Sequence, residues 1–456
     1  MNNESMNVAP VDEKLPVGKS LALALQHVLA MCAGAVAVPI IVGNAAGLSQ
    51  SDIVFLINAD LLIAGVATLI QTLGLGSKIG AKIPMVEGTS FATVSAMVAI
   101  ADSYKGDSLS AMTTIFGAVL IAGIFTFFMA PVFGKLLRFF PKVVTGTVVS
   151  IIGLSLIPVA VRWAAGNDTT SPSFASAENI IMALVTLILI ILMNKFLKGM
   201  LGNLSILLGL VLGTVIASVI GMTDFTMFKE AGWFSLNLPF HFGTPKFEAS
   251  AIISLILVVL VIMTEATGNI IAIHEMVGKD LDDKNLARGL RTDGLATMLA
   301  SIFNTFPHTA FAQNIGLVAL TGVKSRFVVA ISGGILILLG LFPKMAALFT
   351  CIPYPVLGGA GFVMFGMVIS GGIKTLKSVE FDGNKNSLIV AVSIGLSMIP
   401  TVVPTFYQNF PEWVNTLFHS GITTGSLCAI LLNLLFNILG EKKEYLVQTV
   451  ILKKFK

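Results

Sequence analysis

Phe306-Pro307-His308-Thr309-Ala310-Phe311-Ala312-Gln313-Asn314-Ile315-Gly316 breaks a long apolar region with a proline, a histidine, an amide pair and a glycine. At membrane depth such a stretch cannot be an ordinary helix facing lipid, because irregular backbone survives there only when buried in protein or lining a cavity. Thr309 to Ala312 reads Thr-Ala-Phe-Ala. Thr89 to Ala92, also just after a proline (Pro84), reads Thr-Ser-Phe-Ala. Matched interruptions in two halves of a chain point to a transporter's substrate site. The two segments are therefore expected to meet.

Composition requires a membrane setting. Of 456 residues, 55% are hydrophobic and 11% charged, against about 25% charged in a soluble domain. Mean hydropathy is +0.92. At about 20 apolar residues per crossing, the chain has room for about a dozen or more helices and little soluble domain. The net charge of +4 sits mostly in short loops, which argues against a nucleic-acid partner. Cys32, Cys351 and Cys428 lack paired spacing and read as packing residues, with no metal or disulfide role. No cleavage site follows the first apolar run, so it is expected to be a retained span. There is no phosphate-binding G-x-x-x-x-G-K-[ST] loop. No nucleophile–base set is visible, so an enzyme is not expected. Energy must come from an ion gradient or from the substrate gradient, with no cofactor.

The fold class read from the sequence is an all-α polytopic membrane protein of 14 spans. Apolar segments fall near 20–42, 53–75, 84–101, 109–134, 141–163, 176–196 and 200–222, then, after a polar stretch from Thr223 to Lys246, near 248–274, 285–304, 306–322, 325–348, 352–373, 386–404 and 421–440. With both termini cytoplasmic, only Lys105, Arg162, Lys229, Lys246 and Lys344 of the 28 basic residues fall outside, the asymmetry expected of cytoplasmic loops. Trp163, Trp233 and Trp413 land on the outer side and are expected at the interface. Pro131 to Gly146 aligns with Pro343 to Gly358 at one constant offset, matching two prolines and the final glycine. Seven spans per repeat is odd, so the second half enters upside down. The expectation is two inverted 7-span repeats, with short extended stretches before the half-helices of spans 3 and 10.

Glu265 lies in the otherwise apolar run Ser254 to Ile273. An acid near mid-membrane by default faces a cavity and has a function. In its neutral form it can donate and accept a hydrogen bond and carry a coupled proton, although a structural pairing with a neighbouring helix remains the plainer alternative. Thr264, Thr267, Gly268 and Asn269 cluster around it. Gln313 and Asn314 present acceptor and donors side by side, suited to the edge of a planar heterocycle, or else they cap the half-helix. Phe91 and Phe311 occupy corresponding places and could sandwich a flat ligand. His27 reads more readily as an interhelical hydrogen bonder than as a proton relay. Asp293 would pair with Arg288 or Arg291 at the cytoplasmic rim, or help couple proton movement. Glu87, Asp60 and His308 are expected to be wet or capping, and His274, His241 and His419 to have no role.

Gln313-Asn314-Ile315-Gly316-Leu317-Val318-Ala319-Leu320-Thr321-Gly322 resembles the signature of the nucleobase–ascorbate transporters, or nucleobase:cation symporter-2 family, roughly [QEP]-N-x-G-x-x-x-x-T-[RKG]. Gln26-His27, Gly88-Thr89-Ser90-Phe91, Glu265 with Gly268, and Arg291-Thr292-Asp293-Gly294 also match, and the resemblance runs from about 18 to about 440. The bacterial xanthine and uric acid permease branch is the most similar in Phe303 to Pro307 and Thr321 to Arg326. The resemblance implies a core domain (20–134 and 248–348), a gate domain (135–222 and 349–440), tails at 1–19 and 441–456 and an outer loop at 223–247. It implies a homodimer in the cell membrane. It gives purine binding to Glu265 and Gln313, completed by Phe91 and by backbone around Phe311 and Ala312, and effects on affinity or transport to His27, Asn314 and Asp293. Gln rather than Glu at 313 implies xanthine or urate over uracil. Asn269 departs from the Asp or His common at that place and cannot titrate. The expected function is proton-coupled uptake of xanthine and/or uric acid. The alternatives are a uracil or planar-anion transporter, sodium-coupled or uncoupled.

Overall fold

The computed structural model describes residues 9–104, 106–411, 414 and 418–439. Lys105, Trp413 and the C-terminal tail lie outside them. The long elements are α1 (Val17–Ala45), α2 (Gln50–Leu73), strand β1 (Glu87–Thr89), α3 (Val94–Ser103), α4 (Ser108–Leu136), α5 (Lys142–Ala164), α6 (Ala177–Phe196), α7 (Ser205–Val219), α8 (Ala249–Val277), α9 (Asp283–Ile302), strand β2 (His308–Ala310), α10 (Ala312–Thr321), α11 (Arg326–Gly340), α12 (Tyr354–Leu376), α13 (Asn384–Ser397) and α14 (Gly421–Asn433). Among the described residues nine helices are long and apolar enough to cross a membrane: α1, α2, α4, α5, α6, α8, α12, α13 extended to Val402, and α14 extended to Ile438.

The other expected crossings differ, each for a physical reason. Helices α3 and α10 have 10 residues each, about 15 Å at 1.5 Å per residue, half of a hydrocarbon core of about 30 Å. Helix α9 has 20 residues but carries Asp283, Lys284, Arg288, Arg291 and Asp293, and it is shielded by α4 and α2. The segment predicted at 325–348 is not one helix. After Gly340 the chain bends by 82° into a short helix, Pro343–Thr350, where Pro343 starts a new first turn. Carbonyls freed at the bend are answered from the polar stretch after α7: Asn237 Nδ2 donates to Gly340 O (3.2 Å) and Ser235 N to Leu341 O (3.1 Å).

One helix group packs α2 on α11, α4 on α9, α1 on α11 and α8 on α4. The other packs α5 on α12, α12 on α6, α13 on α14 and α14 on α5. Small residues set these close approaches. A methyl on Gly65 of α2 would lie 2.5 Å from the Gly333 carbonyl oxygen of α11. One on Gly294 of α9 would lie 2.5 Å from the Phe127 nitrogen of α4, and one on Gly153 of α5 would lie 2.5 Å from Ile369 of α12. Trp163, expected at the interface, is instead 1% exposed and packs against Phe365 with ring centroids 6.5 Å apart. Trp233 is exposed, with the Lys344 ammonium 5.0 Å from its ring.

Within the first group, β1 and β2 pair antiparallel in the register Glu87↔Ala310, Gly88↔Thr309 and Thr89↔His308. Thr89 and Thr309 are the equivalent positions of the two echoes, so each of the last two pairings is the mirror of the other. Both strands are fully buried. Their backbone groups find partners in each other and in Val86 and Pro307, which accept from Phe311 N and Ser90 N, each at 2.9 Å.

Candidate functional site

The strand pair delivers two half-helices to one place. A 3-10 turn, Phe91–Thr93, leads from β1 into α3, and Phe311 is the N-cap of α10. No side chain caps α10, so the capping alternative for Gln313 and Asn314 is not what the structure has. Instead Asn314 is 2% exposed and its Nδ2 donates to His27 Nδ1 (3.1 Å) and His27 O (3.0 Å). The acceptor role of Nδ1 places the ring proton of a neutral imidazole on Nε2. His27 is thus an interhelical tie that clamps α10 to α1.

One turn around α10, Gln313 and Gly316 face a cavity of about 760 Å³, which Phe91, Phe311 and Gln26 also line. Its far wall belongs to the second helix group, with Met364 and Met367 of α12, and it runs to Asn194, Lys195 and Gly202 at the α6–α7 connection. Phe311 lies against two glycines. A methyl on Gly34 would stand 2.6 Å from its Cζ, and one on Gly88 would stand 2.8 Å from its Cδ2. Gly34 also approaches Phe91, at 3.5 Å from Cε2. The two aromatics expected to flank a ligand therefore share one helix-face neighbour. Phe91 meets Phe365 edge-on at 6.0 Å, and Phe365 meets Trp163 in turn. Trp163 borders a second cavity of about 920 Å³ with Asn44, Asp102, Arg162 and His419. The series Phe91, Phe365 and Trp163 stands between the two spaces.

Ala312 is exposed at the start of α10, beside Gln313. Glu265 is partly buried and is not in the wall of the 760 Å³ cavity. Its helix α8 packs against the Phe91–Thr93 turn, α10, α5 and α14. Ser254, eleven residues earlier, meets Thr423 of α14 at 3.1 Å. Eleven residues are about three helical turns, so Glu265 lies on the same side of α8 as the contact with α14. Asn269, one turn on, keeps Nδ2 buried without a partner among the described residues.

Three residues expected to be wet or capping are instead deeply buried: Glu87 at 0%, Asp60 at 1% and His308 at 1% exposed. Asp60 Oδ1 accepts from Thr305 Oγ1 at 2.5 Å and from Thr89 Oγ1, with His308 Nε2 3.7 Å away. His308 Nδ1 pairs with Phe306 O at 2.7 Å. These contacts tie α2 to both strands. Asp293 does not pair with an arginine. It accepts from Thr309 Oγ1 at 3.0 Å, while Arg288 and Arg291 reach the carbonyls of Ser77 (2.9 Å) and Lys78 (3.4 Å). His274, given no role from the sequence, is buried with Nδ1 2.8 Å from Ile270 O. Sequence reasoning missed Gly34 and Gln26. The glycine carried no signal, and Gln26 was overshadowed by its histidine neighbour.

The chain matches the model of a family described as Permease family over residues 18–406. It is 43% identical to "Uric acid permease PucJ" of Bacillus subtilis (strain 168), covering 94% of this chain and 95% of that one. It is 42% identical to the "Xanthine permease" of the same organism (94% and 96%) and 41% identical to "Uric acid transporter UacT" of Escherichia coli (strain K12) (94% and 88%). Among solved structures, it superposes on the transmembrane domain of a cyanobacterium bicarbonate transporter, BicA, with a TM-score of 0.63 at 18% identity, over 92% of this chain and 100% of that one. Murine Slc26a9, an anion transporter in the inward-facing state, gives 0.63 at 12% identity, over 94% and 69%. At these identities the likeness concerns the fold, a mostly helical polytopic transporter fold.

Proposed function

The chain belongs to the Permease family, and from that membership we propose that it carries xanthine and uric acid across the cell membrane together with protons. It is a transporter and not an enzyme. The observation that carries the reading is the meeting of Phe91, Phe311 and Gln313 on one cavity wall, brought there by the β1–β2 pair. Two aromatic faces suit a flat purine, and the Gln313 amide suits the adjoining N–H and C=O groups of its edge.

The architecture we infer is 14 spans in two inverted halves. Its support is the pairing of contacts: α2 with α11 is matched by α9 with α4, α1 with α10 by α8 with α3, and α6 with α12 by α13 with α5. Each contact recurs seven helices on, as a two-fold axis in the membrane plane requires. Helices α1–α4 and α8–α11 then form the core and the rest the gate, with both termini cytoplasmic and two copies forming a dimer. The cavity leads to the α6–α7 connection, the side assigned to the cytoplasm by its lysines, so this is an inward-open arrangement with the Phe91, Phe365 and Trp163 series closed outside. Glu265, outside the cavity wall here but on the helix packed against both half-helix starts and against α5 and α14, reaches substrate only when core and gate move relative to each other, and affects coupling.

Reconstituted vesicles test this directly, with labelled xanthine and uric acid and with pH and sodium gradients imposed separately. Accumulation of either purine driven by an inward proton gradient is the expected result. Accumulation that follows sodium alone, or uptake of uracil in preference to both purines, would reject it.

A further inference from the structure

Glu87 of β1 and Asp293 of α9 form a buried acid pair outside both cavity walls. Glu87 is 0% and Asp293 2% exposed, and their carboxyl groups are electrostatic neighbours. One oxygen of each is satisfied. Gln71 Nε2 donates to Glu87 Oε1 at 2.9 Å, and Thr309 Oγ1 to Asp293 Oδ2 at 3.0 Å. The other oxygen of each, Glu87 Oε2 and Asp293 Oδ1, is buried with no hydrogen-bond partner among the described residues. Gln71 joins the two sides, since its Oε1 accepts from Thr292 Oγ1 at 3.1 Å, next to Asp293.

No cation answers this pair among the described residues. The elements packed around it are α1, α2, α4, α8, α9 and β2. Within the bundle their titratable groups are His27, held by Asn314, Cys32, Asp60 and His308, 3.7 Å from each other, His274, whose Nδ1 lies against Ile270 O, Glu265, and Arg288 and Arg291, which are turned to loop carbonyls; Lys19, Asp52, Lys135, Glu275, Asp283 and Lys284 stand near helix ends. Two unbalanced negative charges in such a place would each carry a desolvation cost with nothing to offset it. A single proton removes one of the two charges, and with it their repulsion, and turns one carboxyl of the pair into a hydrogen-bond donor.

We propose that Glu87 and Asp293 share one proton and that this proton is the one exchanged in the transport cycle. The proposal rests on the coupled reading above and deepens it. Glu87 stands four residues before Phe91 and opposite Ala310, and Thr309, which Asp293 holds, stands two residues before Phe311. When the proton passes to water, the pair goes from one negative charge to two and no other bond changes. Repulsion then acts across the strand pair that carries both site aromatics. By reciprocal linkage, substrate that favours one strand geometry favours one protonation state. The shared proton also supplies a titrating group where Asn269 cannot.

The test has a part that needs no purine. Infrared difference spectra of the purified protein should contain the carbonyl band of a neutral carboxylic acid, sensitive to deuterium exchange and absent from Glu87→Gln and from Asp293→Asn, but present in Glu265→Gln. In the second part, purine affinity of the unaltered protein should change about tenfold per pH unit where one proton is linked. It should become flat in Glu87→Gln, whose amide keeps the Gln71 contact, while counterflow exchange of purine persists. If Glu87→Gln does not fold, Asp293→Asn serves for both parts. A band that survives in both variants, or pH dependence lost in Glu265→Gln alone, overturns the proposal. If the unaltered protein binds no purine, the transport reading fails, and the band still decides whether the proton is shared.

Discussion

Gly34 is the position at which one added methyl should disturb the site by pressing on the ring of Phe311. That methyl would stand 2.6 Å from Phe311 Cζ, while ordinary carbon contacts are about 3.5–4.0 Å, so the ring must retreat by roughly 1 Å. Phe311 is only 5% exposed, and the Gly88 backbone backs its other edge. The ring can therefore retreat only toward the cavity. Overpacking of this kind costs about 1–3 kcal/mol. If it falls on the bound state, purine affinity drops by roughly 5- to 150-fold. Gly34→Ala should thus bind xanthine or uric acid roughly 5- to 150-fold more weakly, measured by equilibrium binding to purified protein. Replacing Phe311 by Leu in the Gly34→Ala background should recover thermal stability, because the shorter side chain relieves the contact. Gly371→Ala is the control, since a methyl there meets nothing within 4 Å and a helix gains from Gly to Ala. Affinity of Gly34→Ala within roughly twofold of the unaltered protein, with the control also unchanged, would refute the clamped-ring argument.

Three further outcomes are expected. Gln313→Ala removes up to two neutral hydrogen bonds, worth about 0.5–1.5 kcal/mol each, so competition binding should show a loss of roughly 5- to 150-fold with little change in melting temperature. Normal affinity would take Gln313 out of the site. Asn314→Ala leaves His27 Nδ1 without its donor and takes a second donor from the helical carbonyl of His27. It should destabilise by about 1–3 kcal/mol and should lower the melting temperature as well as affinity, whereas a change in affinity alone would deny the clamp. Lys279, after α8, has its ammonium pushed below the ordinary range, first by burial. Its neutral amine is therefore present at lower pH than in other lysines. Amine acylation followed by mass spectrometry should label it first as pH is raised, and labelling in step with Lys284 would contradict this.

The candidate site was legible where chemistry forces a visible exception. A proline, an amide pair and an aromatic inside apolar sequence marked both broken segments, and they do meet, through the strands Glu87–Thr89 and His308–Ala310. Glu87 and His308 were misjudged because nearness to a segment end looks like nearness to water, yet those segments end inside the protein. Asp60 lies in the middle of α2, turned inward, and the water-like partners are hydroxyls of Thr89 and Thr305 and the amide of Gln71. Asp293 was misjudged for a related reason. Neighbours in sequence suggested an arginine, but helix geometry turns Arg288 and Arg291 to the loop and Asp293 to β2.

The sequence by itself determined that the chain lives in a membrane, roughly where its helices run and where two of them break. Apolar length and the cost of unpaired backbone in hydrocarbon are local properties, readable residue by residue. Only the tertiary structure decided which side chains share a space: that Phe311 rests on Gly34, that Asn314 turns from the cavity to His27, and that Glu87 finds Asp293. These pairings join positions up to 287 residues apart, and they depend on helix rotation and crossing distance, set by the summed packing of many small contacts that no single stretch encodes.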